Sequence, residues 1–363
     1  METTEVEVKL SGKKIKSIGS DPKKTAKAIN LIYVSDTDTG ITRVKAGEKF
    51  QYLFNDKKIE DDETLLRIKH LLLPPAWTNV WICSKENGHL QATGLDVKGR
   101  KQYKYHADWN KFRNQTKFYR LQEFGKVLPT IRLQLEKDLA LPNLGQEKVL
   151  AAVVSLMERT NIRVGNNFYE KLYGSYGLTT LKDKHVKIEG NKLKFTFKGK
   201  KGVFHDISIK NNKLSKIVKQ CRDIPGKELF QYFDENGVRH SIDSGMVNEY
   251  IKTISGGSDF TAKDFRTWAG TVQAFMALNS VGCCDTAAET KRRIAEALET
   301  VSNHLGNTRT VCKKYYVHPL ILSLYESKEL EKYTAELDQI EKNDNKADLT
   351  PEEKVVMKIL ETN

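Results

Sequence analysis

The chain has no long apolar run and few cysteines, and each shortage excludes a class of protein. No segment approaches the roughly 20 consecutive apolar residues that a membrane-spanning helix needs. The N-terminal METTEVEVKLSGKK lacks the apolar core of a secretory signal peptide, which predicts a cytoplasmic or nuclear protein that does not span a membrane. The five cysteines among 363 residues are an odd number, and none are paired at zinc-finger spacing. We therefore expect neither a disulfide framework nor a structural zinc site.

Motifs for several kinds of catalysis are also missing. The sequence contains no GxxxxGK[ST] phosphate-binding loop, no HExxH and no GxSxG. Its carboxylates do not cluster as DxD or as paired acids next to histidine, which argues against two-metal nuclease chemistry. The sequence therefore predicts no ATP hydrolysis and no metal or other cofactor.

Positive charge is in clear excess. Lysine and arginine number 60 against 47 acidic residues, which gives a formal charge of +13 and a pI near 9.2. Such an excess suggests a polyanionic partner or an acidic membrane surface. The segment GRKQYKY, residues 99–105, interleaves cations with tyrosines and a glutamine. Cations contact phosphates while glutamine and tyrosine can read or stack on bases, so this pattern favours nucleic acid.

The first third of the chain is predicted to be a small, strand-rich unit. Short apolar runs (LIYVSD, ITRVKAG, FQYLF) are separated by turn residues, and NVWICS and HLQATG are typical of a hairpin around Asn87-Gly88. DDETLLRIKHLL has helical spacing, with Asp61 or Asp62 as N-cap. We predict a flexible basic leader over residues 1–27 and a β-rich domain over residues 28–108.

The remainder is predicted to be mainly helical, with one inserted sheet. Amphipathic helix patterns recur from FYRLQEFGKVL to ETKRRIAEALETVSNHLG. HVKIEGNKLKFTFKGKKGVFHDISI has the alternation and turns of a three-stranded meander. We predict a larger domain over residues 109–327 and an acidic helical tail over residues 328–363. In that tail, Thr350 is a good N-cap and a solvated helix is expected. The fold class is therefore α+β.

A few side chains are candidates for chemistry, and each has an ordinary structural alternative. Tyr316, in HLGNTRTVCKKYYVHP, is either a phosphoryl-transfer nucleophile or a helix-end aromatic packed on the core. Arg163 follows an apolar helix, where it either clamps a phosphate or interacts with the helix C-terminus. Arg266 shares a helix face with Lys263 and is otherwise a surface ion-pair partner. Lys200 lies at a hairpin tip, as a general acid or as a solvated lysine.

Several stretches together resemble the type IB DNA topoisomerases, especially the small enzymes of the poxvirus and bacterial branch. The stretches RVGNNFY, LTTLKDKHV, FKGKKGVFHD, KDFRTWAGT and LGNTRTVCKKYY occur in the family's order, within a resemblance over about residues 30–325. PPAWTNVWIC and GHLQATGLDVKGRKQY resemble the bacterial members. The resemblance implies a C-shaped clamp around duplex DNA, with a catalytic domain that shares its fold with tyrosine recombinases. It also implies relaxation of supercoils through a 3′-phosphotyrosyl intermediate and strand rotation, without ATP or metal.

The resemblance assigns roles by position. Its catalytic positions correspond to Arg163, Lys200, Arg266, Asn307 and Tyr316. Tyr316 is preferred over Tyr315 because it lies nine residues after Asn307. Its DNA-contacting positions correspond to Gln91, Arg100, Lys101, Gln102, Tyr103, Tyr169 and Lys263. Asn307 occupies a position that is usually histidine in the poxvirus and eukaryotic enzymes. Because asparagine carries no charge, we expect Asn307→His to speed cleavage.

Two alternatives remain at this level. A tyrosine recombinase uses the same chemistry, but the stretch KDFRTW lacks the histidines that flank the recombinase arginine, and the N-terminal unit is strand-rich. A non-catalytic DNA-binding protein is disfavoured because all five catalytic positions carry competent residue types. We expect a monomer that acts on double-stranded DNA and is associated with the nucleoid.

Overall fold

The structure is a computed structural model that describes residues 22–47, 49–97, 99, 101–337, 345 and 347–362. Within these ranges, the side chains of residues 113–117, 119, 168, 169 and 336 are not described. The chain divides into two compact units, Met1–Tyr119 and Arg120–Asn363. Helices and sheets both contribute, so the fold is of the mixed class. No helix in the described parts of the chain has the length and apolar character needed to cross a membrane.

The first unit is built on a six-stranded antiparallel sheet with the order β3-β2-β1-β4-β5-β6. The strands are β1 (Ile41–Ala46), β2 (Lys49–Phe54), β3 (Lys57–Lys58), β4 (Thr78–Ile82), β5 (Leu90–Leu95) and β6 (Lys101–Tyr105). The helices are α1 (Pro22–Ala28), α2 (Asp62–His70) and the first part of α3 (Ala107–Leu139). The predicted hairpin of β4 and β5 is confirmed. Asp61 caps α2 by accepting a hydrogen bond from Thr64 N at 2.8 Å.

Two expectations for this unit are wrong. The LIYVSD segment forms no strand and contributes only an isolated bridge between Ile32 and Gly88. The predicted leader lies outside the described residues up to 21, but from Pro22 the chain is the helix α1. Ala26 on α1 is fully buried and packs in a cluster with Trp109. This apolar contact with a distant aromatic residue holds in place a segment whose local composition suggested a loose leader.

The second unit is mostly helical. It contains the rest of α3, α4 (Gln146–Thr160), α5 (Asn167–Tyr173), α6 (Asn212–Arg222), α7 (Ser244–Ile254), α8 (Ala262–Val281), α9 (Ala287–Leu305), α10 (Arg309–Tyr315), α11 (Pro319–Glu326), α12 (Glu331–Leu337) and α13 (Pro351–Thr362). The predicted meander is confirmed as β7 (Val186–Glu189), β8 (Lys192–Lys198) and β9 (Phe204–Lys210). A second hairpin, β10 (Gln231–Phe233) with β11 (Arg239–Ser241), was not anticipated.

Helix α4 is central to the core of this unit. Residues Val149 to Met157 are at most 4% exposed, which makes the helix apolar around its whole circumference. A helix of this kind has to be covered on every side. The covering elements include α7, α6, α8 and the β10 strand, all of which contact α4.

The C-terminal tail is not the solvated helix that its acidity suggested. Val355, Val356 and Ile359 of α13 are at most 1% exposed and belong to the main core. Thr350 caps the helix as predicted: Glu353 N donates to Thr350 Oγ1 at 3.3 Å, and Thr350 N donates to Glu353 Oε2 at 2.9 Å. Even the acidic Glu353 of this helix is buried, where it pairs with Arg132, so the helix completes the core.

Candidate active site

Arg163 is placed by the way α4 ends. Asn161 adopts a left-handed conformation (φ 54°) that stops the helix and turns the chain. The following backbone pairs with a second segment, since Leu178 N donates to Arg163 O at 2.9 Å. Gly177 permits this approach, because a Cβ there would lie 2.5 Å from Arg163 O. The backbone that carries the Arg163 side chain is therefore held at two points, by the end of α4 and by the segment around Leu178.

Arg266 is presented by α8 and is almost completely buried. The residue is 5% exposed, and its Nη1 and Nη2 atoms donate to the carbonyls of Asn161 and Leu305, the latter at 2.7 Å. It therefore joins the end of α4 to the end of α9. The sequence offered a surface ion pair as the alternative for Arg266, and burial excludes it.

Tyr316 lies against Arg266. The centre of its ring is 5.3 Å from the guanidinium carbon. One turn further along α8, Gly270 allows the helix to approach closely, since a Cβ there would lie 2.6 Å from Tyr316 O. Thr271 Oγ1 also donates to Tyr316 O at 3.3 Å. The neighbouring Tyr315 is 38% exposed and has the Lys314 ammonium 5.4 Å from its ring centre, which makes Tyr316 the tyrosine of the arginine cluster.

Asn307 follows the left-handed Gly306 that ends α9. Arg163 Nη2 donates to Gly306 O at 2.9 Å and also to Asn307 Oδ1. Because a guanidinium can only donate, the Asn307 oxygen must face Arg163 and its Nδ2 must point away. The amide is thus fixed in one orientation.

Lys200 begins the tight turn Lys200–Gly202 between β8 and β9. Burial and the charge of Arg163 lower the pKa of the Lys200 ammonium, and Tyr316 partly offsets this. Burial and the charge of Arg266 also lower the pKa of Arg163, to about 10. All three cations therefore influence one another or Tyr316, which places Arg163, Lys200, Arg266 and Tyr316 in one electrostatic cluster.

Two buried donors in this cluster lack a hydrogen-bond partner among the residues that the structure describes. They are Arg266 Nε and Asn307 Nδ2. Leaving a buried donor unpaired costs about 1–3 kcal/mol, so native proteins rarely do so without a functional reason. Unpaired donors beside converging positive charges are suited to an anion such as a phosphodiester. Within the described residues, no group of three or more His, Cys, Asp and Glu side chains is arranged to hold a metal ion.

Sequence reasoning missed several residues that support the site. Asn161 donates through Nδ2 to His304 Nε2 at 2.8 Å, which ties together the two helix ends that Arg266 also joins. Cys312, fully buried one turn before Tyr316, has its pKa raised to about 11 by burial. His205 lies against Gly199 and Gly306. Of these features, only the position of His205 opposite Phe197 could have been predicted, from the register of the hairpin between β8 and β9.

The predicted DNA contacts have mixed outcomes. Gln91 is 4% exposed, and its amide donates to Gly88 O at 2.7 Å and to Glu86 O at 2.8 Å. It also accepts from Arg67 at 3.2 Å. The polar atoms of Gln91 are thus hydrogen-bonded inside the first unit, which argues against the predicted DNA contact. Arg100 and the Tyr169 side chain lie outside what the structure describes.

The remaining four predicted contacts are accessible in different degrees. Lys101 pairs with Asp36, and Gln102 donates to Asp96 at 3.0 Å. Tyr103 is 49% exposed beside Lys101, whose ammonium is 5.6 Å from the ring centre. Lys263 is exposed near the start of α8. These positions stay predictions as DNA contacts.

Comparison with known proteins identifies the family. Residues 102–347 match the family model described as eukaryotic DNA topoisomerase I, catalytic core, and residues 49–96 match the bacterial DNA topoisomerase IB N-terminal domain. The chain belongs to the type IB DNA topoisomerases. The topoisomerase is 35% identical over 300 residues to a DNA topoisomerase 1B of Acanthamoeba polyphaga mimivirus, covering 79% of this chain and 88% of the relative.

More distant relatives are consistent with this. The topoisomerase is 25% identical over 288 residues to the DNA topoisomerase 1B of vaccinia virus, covering 76% of this chain and 88% of the relative. The monkeypox virus DNA topoisomerase I matches to the same extent. The expected family and the expected DNA topoisomerase activity are thus confirmed, and the tyrosine recombinase is not the family found. The bacterial character of the N-terminal unit is also confirmed.

Proposed function

We propose that this topoisomerase relaxes supercoiled duplex DNA by cutting one strand with Tyr316 and resealing it. The observation that supports the assignment of the site is a pair of buried donors, Arg266 Nε and Asn307 Nδ2, near the Tyr316 ring. Neither has a hydrogen-bond partner among the residues that the structure describes. Together with Arg163 they form a preorganised cradle for the nonbridging oxygens of a phosphodiester. We also propose that the catalytic domain of this topoisomerase has the fold shared with the tyrosine recombinases.

The chemical step is a transfer of the phosphoryl group between two oxygens. Tyr316 Oη attacks the phosphorus and forms a 3′-phosphotyrosyl ester while the bond from phosphorus to the 5′-oxygen breaks. The tyrosine proton passes to solvent, and the departing 5′-oxygen takes a proton from Lys200 Nζ. Resealing is the reverse, with the 5′-hydroxyl as nucleophile and tyrosine as leaving group. One phosphodiester is exchanged for another, so no ATP is needed.

The cations have separable roles in this scheme. Arg163 and Arg266 offset the extra negative charge of the five-coordinate transition state, and Asn307 adds a neutral donor. The lowered pKa of Lys200 suits a general acid, because a weaker base releases its proton more readily. We propose that Lys101, Gln102, Tyr103 and Lys263 contact the duplex outside the reacting phosphate.

The test uses two neighbouring tyrosines as a matched pair. Tyr316→Phe and Tyr315→Phe are assayed for relaxation of a supercoiled plasmid in EDTA without ATP, and for a covalent protein–DNA adduct trapped by detergent. We expect Tyr316→Phe to lose both activities and Tyr315→Phe to retain them within a few-fold. Relaxation by Tyr316→Phe at the parent rate would refute the assignment, and so would an adduct through the 5′-end of the cut strand.

A further inference from the structure

We propose that His205 is a positioning residue, whose imidazole ring sets the distance between the Lys200 turn and the segment that carries Asn307. The proposal rests on the proposed function of Lys200 and Asn307. Neither family position nor the chemical step assigns a role to His205.

The ring edge of His205 lies between two glycines that come from distant parts of the chain. A Cβ on Gly199 would lie 2.6 Å from His205 Nε2 and 2.7 Å from Cδ2. A Cβ on Gly306 would lie 2.8 Å from His205 Cε1. Side chains at both positions are thus excluded by the same imidazole ring, which is in close contact with both backbones.

The His205 ring is held in place by stacking on a core residue. His205 on β9 is directly opposite Phe197 on β8, and the two rings stack with centres 4.9 Å apart and planes 22° apart. Phe197 is 3% exposed and belongs to the main core. The ring is therefore a rigid extension of the core toward the site.

The ring lies between two parts of the proposed site, the turn that carries the proton donor Lys200 and the segment that holds the phosphate through Asn307. Gly199 directly precedes Lys200. Gly306 directly precedes Asn307, and its carbonyl accepts from Arg163 at 2.9 Å. Val203, at the end of the Lys200–Gly202 turn, also approaches Gly306, since its Cγ1 would lie 3.7 Å from a Cβ there, but the imidazole ring is closer. Through its contacts with both glycines, the imidazole ring sets the position of this turn relative to Gly306.

The electrostatics fit a neutral spacer. Burial and the charges of Arg163 and Arg266 lower the pKa of His205, so the ring adds no fourth positive charge at neutral pH. A neutral ring that fills space without attracting the phosphate is suited to positioning.

The experiment separates proton donation from the rest of catalysis. Single-turnover cleavage is measured on two DNA duplexes, one with the ordinary 5′-oxygen at the cut site and one with a bridging 5′-sulfur. A thiol has a pKa near 8.5 and an alcohol one nearer that of water, about 15.7, so the sulfur leaves without a proton donor. Misplacing Lys200 by about 1 Å is expected to cost up to about 100-fold on oxygen.

We expect His205→Ala to slow cleavage of the oxygen substrate by about 10- to 100-fold and of the sulfur substrate by less than about threefold, within the range of a general-acid effect. His205→Phe keeps a ring in the same place and should recover most of the lost rate. The matched control is His240→Ala, which removes a ring stacked in a similar way on Tyr232, with centres 5.4 Å apart. It should leave both rates unchanged.

Three outcomes overturn the proposal. Cleavage of both substrates falls equally, cleavage of neither falls, or His205→Phe is as slow as His205→Ala. Lys200→Ala, run in parallel, keeps this result distinct from a failure of the proposed function. If sulfur does not rescue Lys200→Ala, the general-acid assignment itself fails. If His205→Ala does not fold, as judged by thermal melting, the oxygen-to-sulfur rate ratio of His205→Phe decides: a ratio like the parent's supports the spacer.

Discussion

The two ends of the Asn307 amide have different surroundings, and substitutions can separate the roles proposed for them. Its Oδ1 accepts from Arg163 and its Nδ2 is buried without a partner in the described part of the chain. Asn307→Asp keeps the acceptor for Arg163 but replaces the donor with a second carboxylate oxygen. Asn307→Ala removes both ends.

The size of each effect follows from the geometry. Removing one preorganised donor from a transition-state site costs about 2.7–4 kcal/mol, or about 10²- to 10³-fold in rate. Asn307→Ala should lose this amount. Asn307→Asp additionally brings a negative charge to the phosphate, and two unit charges 4 Å apart at an effective dielectric constant of 20 interact by about 4 kcal/mol. Attraction to Arg163 and Arg266 offsets part of that, so we expect a loss of at least about 10³-fold.

The assay is single-turnover cleavage on a short duplex, with binding measured separately by anisotropy. Binding should change little for Asn307→Ala, because the backbone phosphates along the whole contact dominate affinity. A rate loss below about tenfold in Asn307→Ala would refute the assignment of the amide as a transition-state donor. If Asn307→Asp and Asn307→Ala cleave at the same rate, the position occupied by Asn307 Nδ2 in the parent protein does not face the phosphate.

The structure also changes the expectation for Asn307→His. A protonated imidazole has no acceptor for Arg163, whereas a neutral one can accept at one nitrogen and donate at the other. Next to Arg163 and Arg266 the neutral form is favoured. The variant should therefore cleave at about the parent rate rather than faster. An increase above about tenfold would show that charge at this position outweighs the contact with Arg163.

Three further predictions follow from other contacts. Because burial and Arg163 lower the pKa of Lys200, its protonated form is lost as pH rises, so kcat/KM should fall at a pH below 10.5, and Lys200→Arg should move that limb upward. Glu353→Gln breaks a buried pair with Arg132 (2.8 Å) and should lower the free energy of unfolding by about 3 kcal/mol in a urea titration, whereas an effect below about 1 kcal/mol would contradict the pairing. Lys101→Ala should reduce the slope of log affinity against log salt by about 0.9, while Gln91→Leu should lower stability and leave that slope unchanged; the opposite pattern would restore Gln91 as a DNA contact.

Local patterns in the sequence predicted those elements whose formation is decided locally. The meander over β7–β9 follows from strict alternation between two turn signals, and α2 and α13 begin at capping residues that are visible in the sequence. The catalytic candidates were found because each belongs to an ordered motif. That these residues come together in one site was implied by the resemblance to the topoisomerase family, since spacing alone does not bring residues about 100 positions apart into contact.

The sequence is least informative where a distant partner decides the outcome. Gln91 is polar and close to a basic segment, which suggested a DNA contact, yet its buried amide accepts from Arg67 on α2. Helix α1 is weak by local composition and is held by burial against Trp109. Nothing in the sequence around His205 indicates its contact with Gly306, because that contact depends on how β9 meets the end of α9.

The C-terminal helix shows how far such a partner can lie. Glu353 accepts two contacts that nothing near it in the sequence announces: Arg132 from α3 and, at 2.9 Å, the Trp268 indole from α8. Burial opposes its ionisation, but Arg132 more than offsets this and the pKa of Glu353 lies below its usual value of 4.5. The stability contributed by the charged pair is therefore complete above pH 4.5 and is lost as pH falls through the lowered pKa. Because Trp268 is two residues from Arg266 on the same helix, the acidic tail stabilises the helix that carries the arginine proposed to be catalytic.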